Sequence, residues 1–477
     1  MSNTAQSLAS KRIASLLDEN SFVEIGGCVT ARSTDFNMQE TETPSDGVVT
    51  GYGLIDGKLV YVYSQDSAVL GGTIGEMHAR KITGIYDLAM KMGAPVIGMI
   101  DCAGLRLQEG TDALNAFGQV YLKQTMASGV IPQITAVFGK CGGGLAVVPG
   151  LTDFTFMETA NAKLFVNSPN ALDGNRAELN DTASAAFQSA EAGLADFTGT
   201  EEEIYAGVRQ LVSFLPSNNE DNASYADSED DLNRVCADLA NAAGDTSILL
   251  AQIADDQEFV EVGAAYAQDM VTGFLRLNGQ TVGAVANRSE VYDAEGNKSA
   301  DLGTTLTVNG CRKAADFVKF CDAFDIPVLT LTNVTGFKAD LESEKNIAKA
   351  AAALTFAFAD ATVAKVNVVI GKAFGNAYNV MNSKALGADM TFAWPQAQIG
   401  MMDANLAAQI MYAGTDANLG EKAAEYASLQ ESAMAAAKRG YVDTIIEPED
   451  TRKYVIGAFE MLYTKREDRP VKKHGSV

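Results

Sequence analysis

APVIGMIDCAGLRLQEG (94–110) returns 232 positions later as IPVLTLTNVTGFKAD (326–340). Each stretch has a proline at its second position (Pro95, Pro327). Each then runs through apolar and β-branched residues and ends in a loop with a glycine, Gly104 or Gly336. A short apolar run bounded by breakers reads as a buried strand. The glycine loop therefore sits at the carboxyl end of a strand, and it occurs twice.

Working outward, the offset of 232 holds over a wide span. Arg80 and Lys81 match Arg312 and Lys313. Gly139 and Lys140 match Gly371 and Lys372, and Gly143 matches Gly375. Toward the amino terminus, TGYGLIDGKLV (50–60) returns as TGFLRLNGQTV (272–282) at an offset of 222. Asp18, Phe22, Val23, Glu24 and Gly26 return as Asp255, Phe259, Val260, Glu261 and Gly263 at 237. Offsets that hold within blocks and jump between them mark a duplication with loop insertions. Two homologous domains are expected, 1–240 and 245–477. The acidic, Asn/Ser-rich SNNEDNASYADSEDD (217–231) is the linker region.

Within each half the order of elements is the same. GKLVYVYSQ (57–65) and TVGAVANRS (281–289) alternate as strands do. Ile82, Ile85, Tyr86, Ala89 and Met90 share one helical face. A second buried strand, QITAVFG (133–139) or VNVVIG (366–371), ends in a second loop, GKCGGGLA or GKAFGNAY. Strands and helices in alternation, with loops after strands, define an α/β plan.

The composition bounds the chemistry. Lys and Arg number 36 against 61 Asp and Glu, a net charge of −25, which argues against nucleic acid as a partner. Six cysteines without a CxxC pair argue against a zinc ribbon and for free, mostly buried thiols in a reducing, cytoplasmic setting. The N-terminal segment carries no apolar signal core, and no apolar run reaches membrane-spanning length. Only two histidines, His78 and His474, are present, so His-centred triads and multi-His metal sites are nearly excluded.

A site without histidine can be built from backbone. Glycines let the main chain approach a ligand closely. N–H groups at the start of a helical turn favour negative charge. Two such donors hold an oxyanion, each worth about 3 kcal/mol. One glycine loop alone is an ordinary turn. Here the pairs recur at equal spacing: Leu105 to Gly144 is 39 residues, and Phe337 to Asn376 is 39. That repetition favours an oxyanion role for these four amides.

At these residues the chain resembles the carboxyltransferase subunits of biotin-dependent acyl-CoA carboxylases and decarboxylases, of the methylmalonyl-CoA decarboxylase and propionyl-CoA carboxylase type. The matching stretches include SDGVVTGYGLIDGKLVYVYSQD (45–66), GGTIGEMHARKI (71–82), ASGVIPQITAVFGKCGGG (127–144), MNSKALGADMTFAWP (381–395) and the tail VKKHGSV (471–477). The resemblance implies a crotonase-like fold in both halves, with acyl-CoA bound mainly by the first half and biotin mainly by the second half of a facing subunit. Leu105 and Gly144 would hold a thioester enolate, and Phe337 and Asn376 the biotin ureido oxygen. Gly104, Arg106, Gly142, Gly143, Gly336, Gly375 and Ala377 would line the ligands.

The resemblance also implies a homo-hexamer, a biotin carrier protein as partner, and a biotin carboxylase or a membrane decarboxylase subunit beyond it. No metal is expected in this chain. Two further readings are a catalytically silent subunit of such a complex and a crotonase-type enzyme acting without biotin. The chain departs from the family pattern at Cys102-Ala103-Gly104-Leu105-Arg106, at Thr335–Asp340, at Asn376 and Asp403, and over 171–200 and 345–354.

Several residues have a plain structural reading. Ala89-Met90-Lys91-Met92 spells the peptide around a biotinyl lysine, but it ends an amphipathic helix before Gly93, so biotin is expected on another chain. Arg80 and Lys81 are expected at solvated helix positions, although either could reach CoA phosphates. Arg106 is expected either on a ligand or paired with Glu109. His78, Cys102 and Cys141 are expected to pack, and Asp153 and Asp389 to hold turns.

Overall fold

A computed structural model describes residues 7–221, 224–470 and 475. It divides into two compact units, 1–224 and 225–477. The tail VKKHGSV lies outside the described residues except for Gly475, as do residues 222 and 223 of the linker stretch.

The first unit is built on one sheet. Strands Val23–Glu24, Val48–Ile55 and Lys58–Gln65 run antiparallel. From Lys58–Gln65 onward the sheet is parallel: Val96–Cys102, then Gln133–Gly142, Phe154–Glu158 and Phe197–Gly199, with Lys163–Phe165 pairing on the end of Gln133–Gly142. The second unit repeats this order. Phe259–Val262, Met270–Leu277 and Gln280–Asn287 are antiparallel. Val328–Val334, Lys365–Phe374, Met390–Ala393 and Thr444–Ile445 continue in parallel, and Gln398–Gly400 pairs on the end of Lys365–Phe374. Two parallel-centred sheets of one topology are the α/β duplication that the spacing predicts.

Local chemistry explains the repeated pieces. The hairpins turn on Asp56-Gly57 and Asn278-Gly279, all four at positive φ. Residues of this kind form the two-residue turn that matches strand twist. The matched aspartates lock these turns. Asp18 accepts the N–H groups of Asp56 and Gly57 at 3.0 Å each, and Asp255 accepts those of Asn278 and Gly279 at 3.2 and 2.7 Å. Arg209 pairs with Asp18 at 2.8 Å, and Arg452 with Asp255 at 2.6 Å. The jump in offset from 222 to 232 also has a location. Between Asn287 and Thr305 the second unit inserts a hairpin, Glu290–Tyr292 with Lys298–Asp301, where the first unit passes from Gln65 to Ile74 without one.

The core of the first unit lies between the sheet and the helix Glu76–Met92, whose Ile82, Ile85, Tyr86 and Ala89 are buried. The helix stops at Gly93 in the left-handed region, with Lys91 exposed in its last turn. No helix among the described residues is long and apolar enough to cross a membrane.

Candidate active site

In each unit the two glycine loops leave the carboxyl ends of neighbouring parallel strands. Cys102 pairs with Cys141 in the first unit, and Val334 with Ala373 in the second, each just after a register shift. Loops at such strand ends form the ligand crevice of open α/β sheets. A close approach underlies each shift. A Cβ at Gly139 would lie 2.0 Å from Asp101 Oδ1, and one at Gly371 would lie 2.5 Å from Asn333 Oδ1. Only glycine leaves room there for the side chain that opens the neighbouring loop.

The direction of the first amide in each pair follows from hydrogen bonding. Ile74 donates to the Gly104 carbonyl at 2.9 Å and accepts from Arg106 N–H at 2.9 Å. Leu105 lies between these two residues, so its own N–H points away from Ile74, because backbone groups alternate sides along a strand. The second unit repeats the arrangement. Thr305–Leu306 pairs in parallel with Gly336–Phe337, and Lys338 N–H donates to Leu306 at 2.9 Å, so the Phe337 N–H points outward.

The second amide in each pair starts a helical turn. Gly143–Val147 forms a 3₁₀ turn and Gly375–Val380 an α-helix. First-turn N–H groups, those of Gly144 and Asn376 included, have no acceptor within the turn. Gly143 and Gly375 lie at φ +64° and +58°, a conformation that glycine adopts without strain and that swings the following amides out of the strand.

The remaining expected residues divide into two groups. Gly104 lies on its loop, Gly142 ends the strand before the second loop and Gly336 opens the short pair with Thr305–Leu306, all three half-buried, and Ala377 is buried in the first turn after Gly375. Arg106 faces inward instead of toward a ligand. It is 1% exposed, and its guanidinium bonds Asp46 Oδ1 at 2.6 Å, Glu109 Oε1 at 2.7 Å and the Thr73 carbonyl at 2.8 Å. A short loop wrapped on a buried acidic pair turns this side chain toward the core. Lys81 also differs from its expected solvated position. It is buried, and its Nζ donates to the carbonyls of Ser45 and Val48 and to the Ser45 hydroxyl. Burial pushes its pKa down to about 8. Arg80 is exposed and pairs with Glu76.

His78 packs, as expected, and does more. Its Nδ1 lies 2.9 Å from the Asp46 carbonyl, which makes Nδ1 the donor, and Nε2 then accepts from Gln65 at 3.2 Å. Burial holds its pKa down to about 3, so the ring is neutral. Cys102 is buried with its pKa pushed up to about 12, and burial likewise raises that of Cys141, so neither thiol is a nucleophile. Asp153 and Asp389 accept the first N–H of a strand, from Gln133 at 2.7 Å and Lys365 at 2.8 Å.

Two contributors have no signal in the sequence. Tyr121 donates its hydroxyl to the Gly144 carbonyl and fixes the second loop from a helix 23 residues upstream. Asp46 lies 60 residues from Arg106, which it holds. The described residues contain no group of three or more His, Cys, Asp or Glu placed to hold a metal.

Two sheets of one topology, each with two loops at adjacent strand ends, form a duplicated crotonase-like α/β fold. The chain belongs to the carboxyl transferase family, whose domain it matches over residues 3–477. It is 40% identical over 481 residues to the methylmalonyl-CoA decarboxylase subunit alpha of Veillonella parvula, covering 98% of this chain and 92% of that protein. It is 41% identical over 485 residues to the propionyl-CoA carboxylase beta chain of Roseobacter denitrificans, covering 98% and 93%. Among solved structures it is similar to the transcarboxylase 12S hexamer with hydrolysed methylmalonyl-coenzyme A bound. The TM-score is 0.91 at 37% identity, with 98% of this chain and 92% of that one covered.

Proposed function

We propose that this chain is the carboxyltransferase subunit that moves a carboxyl group between biotin on a separate carrier protein and a short acyl-CoA of the propionyl or methylmalonyl type. The observation that carries this reading is the repeated amide pair. The first-unit pair suits the thioester oxygen of acyl-CoA, and the second-unit pair suits the ureido oxygen of biotin.

The residues present fit both groups. The two amides of each pair come from adjacent strand ends, and each belongs to a backbone position with no acceptor in its own turn or bridge. When bound, biotin supplies the ureido nitrogen that carries the carboxyl. Leu105 and Gly144 N–H groups stabilise the enolate that forms when the acyl α-carbon gains or loses the carboxyl, at about 3 kcal/mol per donor. Phe337 and Asn376 N–H groups do the same for negative charge on the ureido oxygen. Gly104, Gly143 and Gly336, with nothing where a side chain would stand, let the ligands approach the main chain, while Gly142, Gly375 and the buried Ala377 shape the loops beneath them. No side-chain nucleophile or histidine base takes part.

The subunit works in the cytoplasm as a homo-hexamer. A biotin carrier delivers the cofactor, and a biotin carboxylase or a membrane decarboxylase subunit completes the complex. Intact amide geometry in both units favours catalysis over a silent subunit. To test the reading, the purified protein is mixed with a biotinylated carrier domain and carboxyl-labelled methylmalonyl-CoA. Label should leave the thioester only when biotinylated carrier is present. Label loss without carrier would favour a biotin-independent enzyme, and no loss with either methylmalonyl-CoA or malonyl-CoA would reject the assignment.

A further inference from the structure

Behind Leu105 lies a closed ring of buried polar groups. Arg106 bonds Asp46. The Asp46 carboxylate accepts His78 N–H at 2.8 Å, and its carbonyl accepts from the His78 ring. His78 accepts from Gln65, and Gln65 Oε1 accepts the N–H of Asp101 at 3.3 Å. The ring therefore holds the loop at both ends, Asp101 and Arg106. A second arm runs from Arg106 to Glu109, whose other oxygen accepts Glu76 N–H at 2.6 Å.

We propose that Arg106 is a positioning residue for the acyl-side oxyanion site, and that its clamp between Asp46 and Glu109 keeps the Arg106 N–H on the Ile74 carbonyl and so sets the direction of the Leu105 N–H. This rests on the reading of the first unit as the acyl-CoA side. Four observations support it. Gly104 lies at φ +108° with nothing within 4 Å of where a side chain would start, so side-chain packing does not hold the loop, which rests on main-chain hydrogen bonds to Gly71 and Ile74 that need Arg106 in place. The side chains of Arg106, Asp46 and Glu109 are 0%, 0% and 3% exposed, and such a triad costs desolvation that a merely stable core would avoid. Ser45 and Asp46 sit at φ +54° and +48°, strain that the surrounding contacts must maintain. The second-unit loop does without this device. Its Lys338 is exposed beside Asp340, and Thr304 and Thr335 brace the turn through their hydroxyls at 2.9 Å.

The test uses the full-length protein and propionyl-CoA labelled with carbon-13 at the thioester carbonyl. Isotope-edited infrared spectra report how strongly bound carbonyl is polarised. In the wild type the bound carbonyl stretch should fall below its value in water. In Arg106→Met and Asp46→Asn at least half of that shift should be lost, and kcat should drop about 10- to 100-fold. The dissociation constant for propionyl-CoA should change by no more than about threefold, because one carbonyl contact is a small part of CoA binding. Arg106→Lys, which keeps the charge but not the fork, should fall between. Asp46→Asn is nearly isosteric and keeps an acceptor for His78, so it carries the test where Arg106→Met fails to fold. A wild-type protein that binds propionyl-CoA without any shift would reject the acyl-side reading itself. A shift and a kcat retained in Asp46→Asn and Arg106→Lys would reject the positioning role alone.

Discussion

Leu105 faces Ile74 across an isolated parallel bridge, and 232 residues later Phe337 faces Leu306 in the same way. The bridge uses the neighbours of each residue and leaves its own N–H outward. One geometric device thus recurs in both units, and under the proposed function it meets a thioester oxygen in the first and a urea oxygen in the second.

Tyr121 should matter to turnover more than to binding. Its hydroxyl holds the Gly144 carbonyl, and the Gly144 amide depends on that peptide plane. Tyr121→Phe removes one hydrogen bond, worth about 1 kcal/mol. Steady-state kinetics should show kcat lowered about five- to tenfold with KM for acyl-CoA little changed.

Gly139 and Gly371 should each reject even a methyl group. At 2.0 and 2.5 Å from Asp101 and Asn333, a Cβ overlaps a side chain near the end of the strand that leads into the glycine loop. Gly139→Ala and Gly371→Ala should destabilise by about 2–4 kcal/mol, measured by urea unfolding. Gly139→Ala, the closer contact, should cost more.

Asp153 predicts a pH dependence. Burial raises its pKa from 3.8 to about 7, although Gln133 N–H opposes the shift. Between these values the folded chain holds a proton that the unfolded chain has released, so this group's contribution to stability falls as pH rises from about 4 to 7. Asp389, its counterpart, has Lys465 at 2.9 Å, and among the described residues Asp153 has no such cation. Asp153→Asn keeps an acceptor for Gln133 and should flatten that part of a stability–pH profile from thermal unfolding.

Lys365 predicts the opposite slope at higher pH. It is fully buried, with Nζ on the carbonyls of Phe358 and Ala361 at 2.6 and 2.9 Å, and burial pushes its pKa down from 10.5 to about 8. Between these values the unfolded chain holds the extra proton, so stability should rise with pH. Gln133 fills the matching place in the first unit and donates to the Gln124 carbonyl at 3.1 Å. Lys365→Gln should therefore fold, cost less than about 2 kcal/mol at pH 7 and lose the alkaline rise in an unfolding series.

The sequence alone determined the duplication and the strand-ending loops and pointed to the four proposed amide positions, because these depend on spacing, on breakers and on apolar period, which a linear string carries. Asp56-Gly57 and Asn278-Gly279 even announce their hairpins. Tertiary structure alone decided which way the charged side chains face. Arg106 was legible as a cation beside a loop and Lys81 as one on a solvated helix face, yet their burial depends on Asp46, Ser45 and Glu24, which lie far back along the chain. A charge is held in a core only where distant partners converge on it, and that convergence is a property of the packed fold.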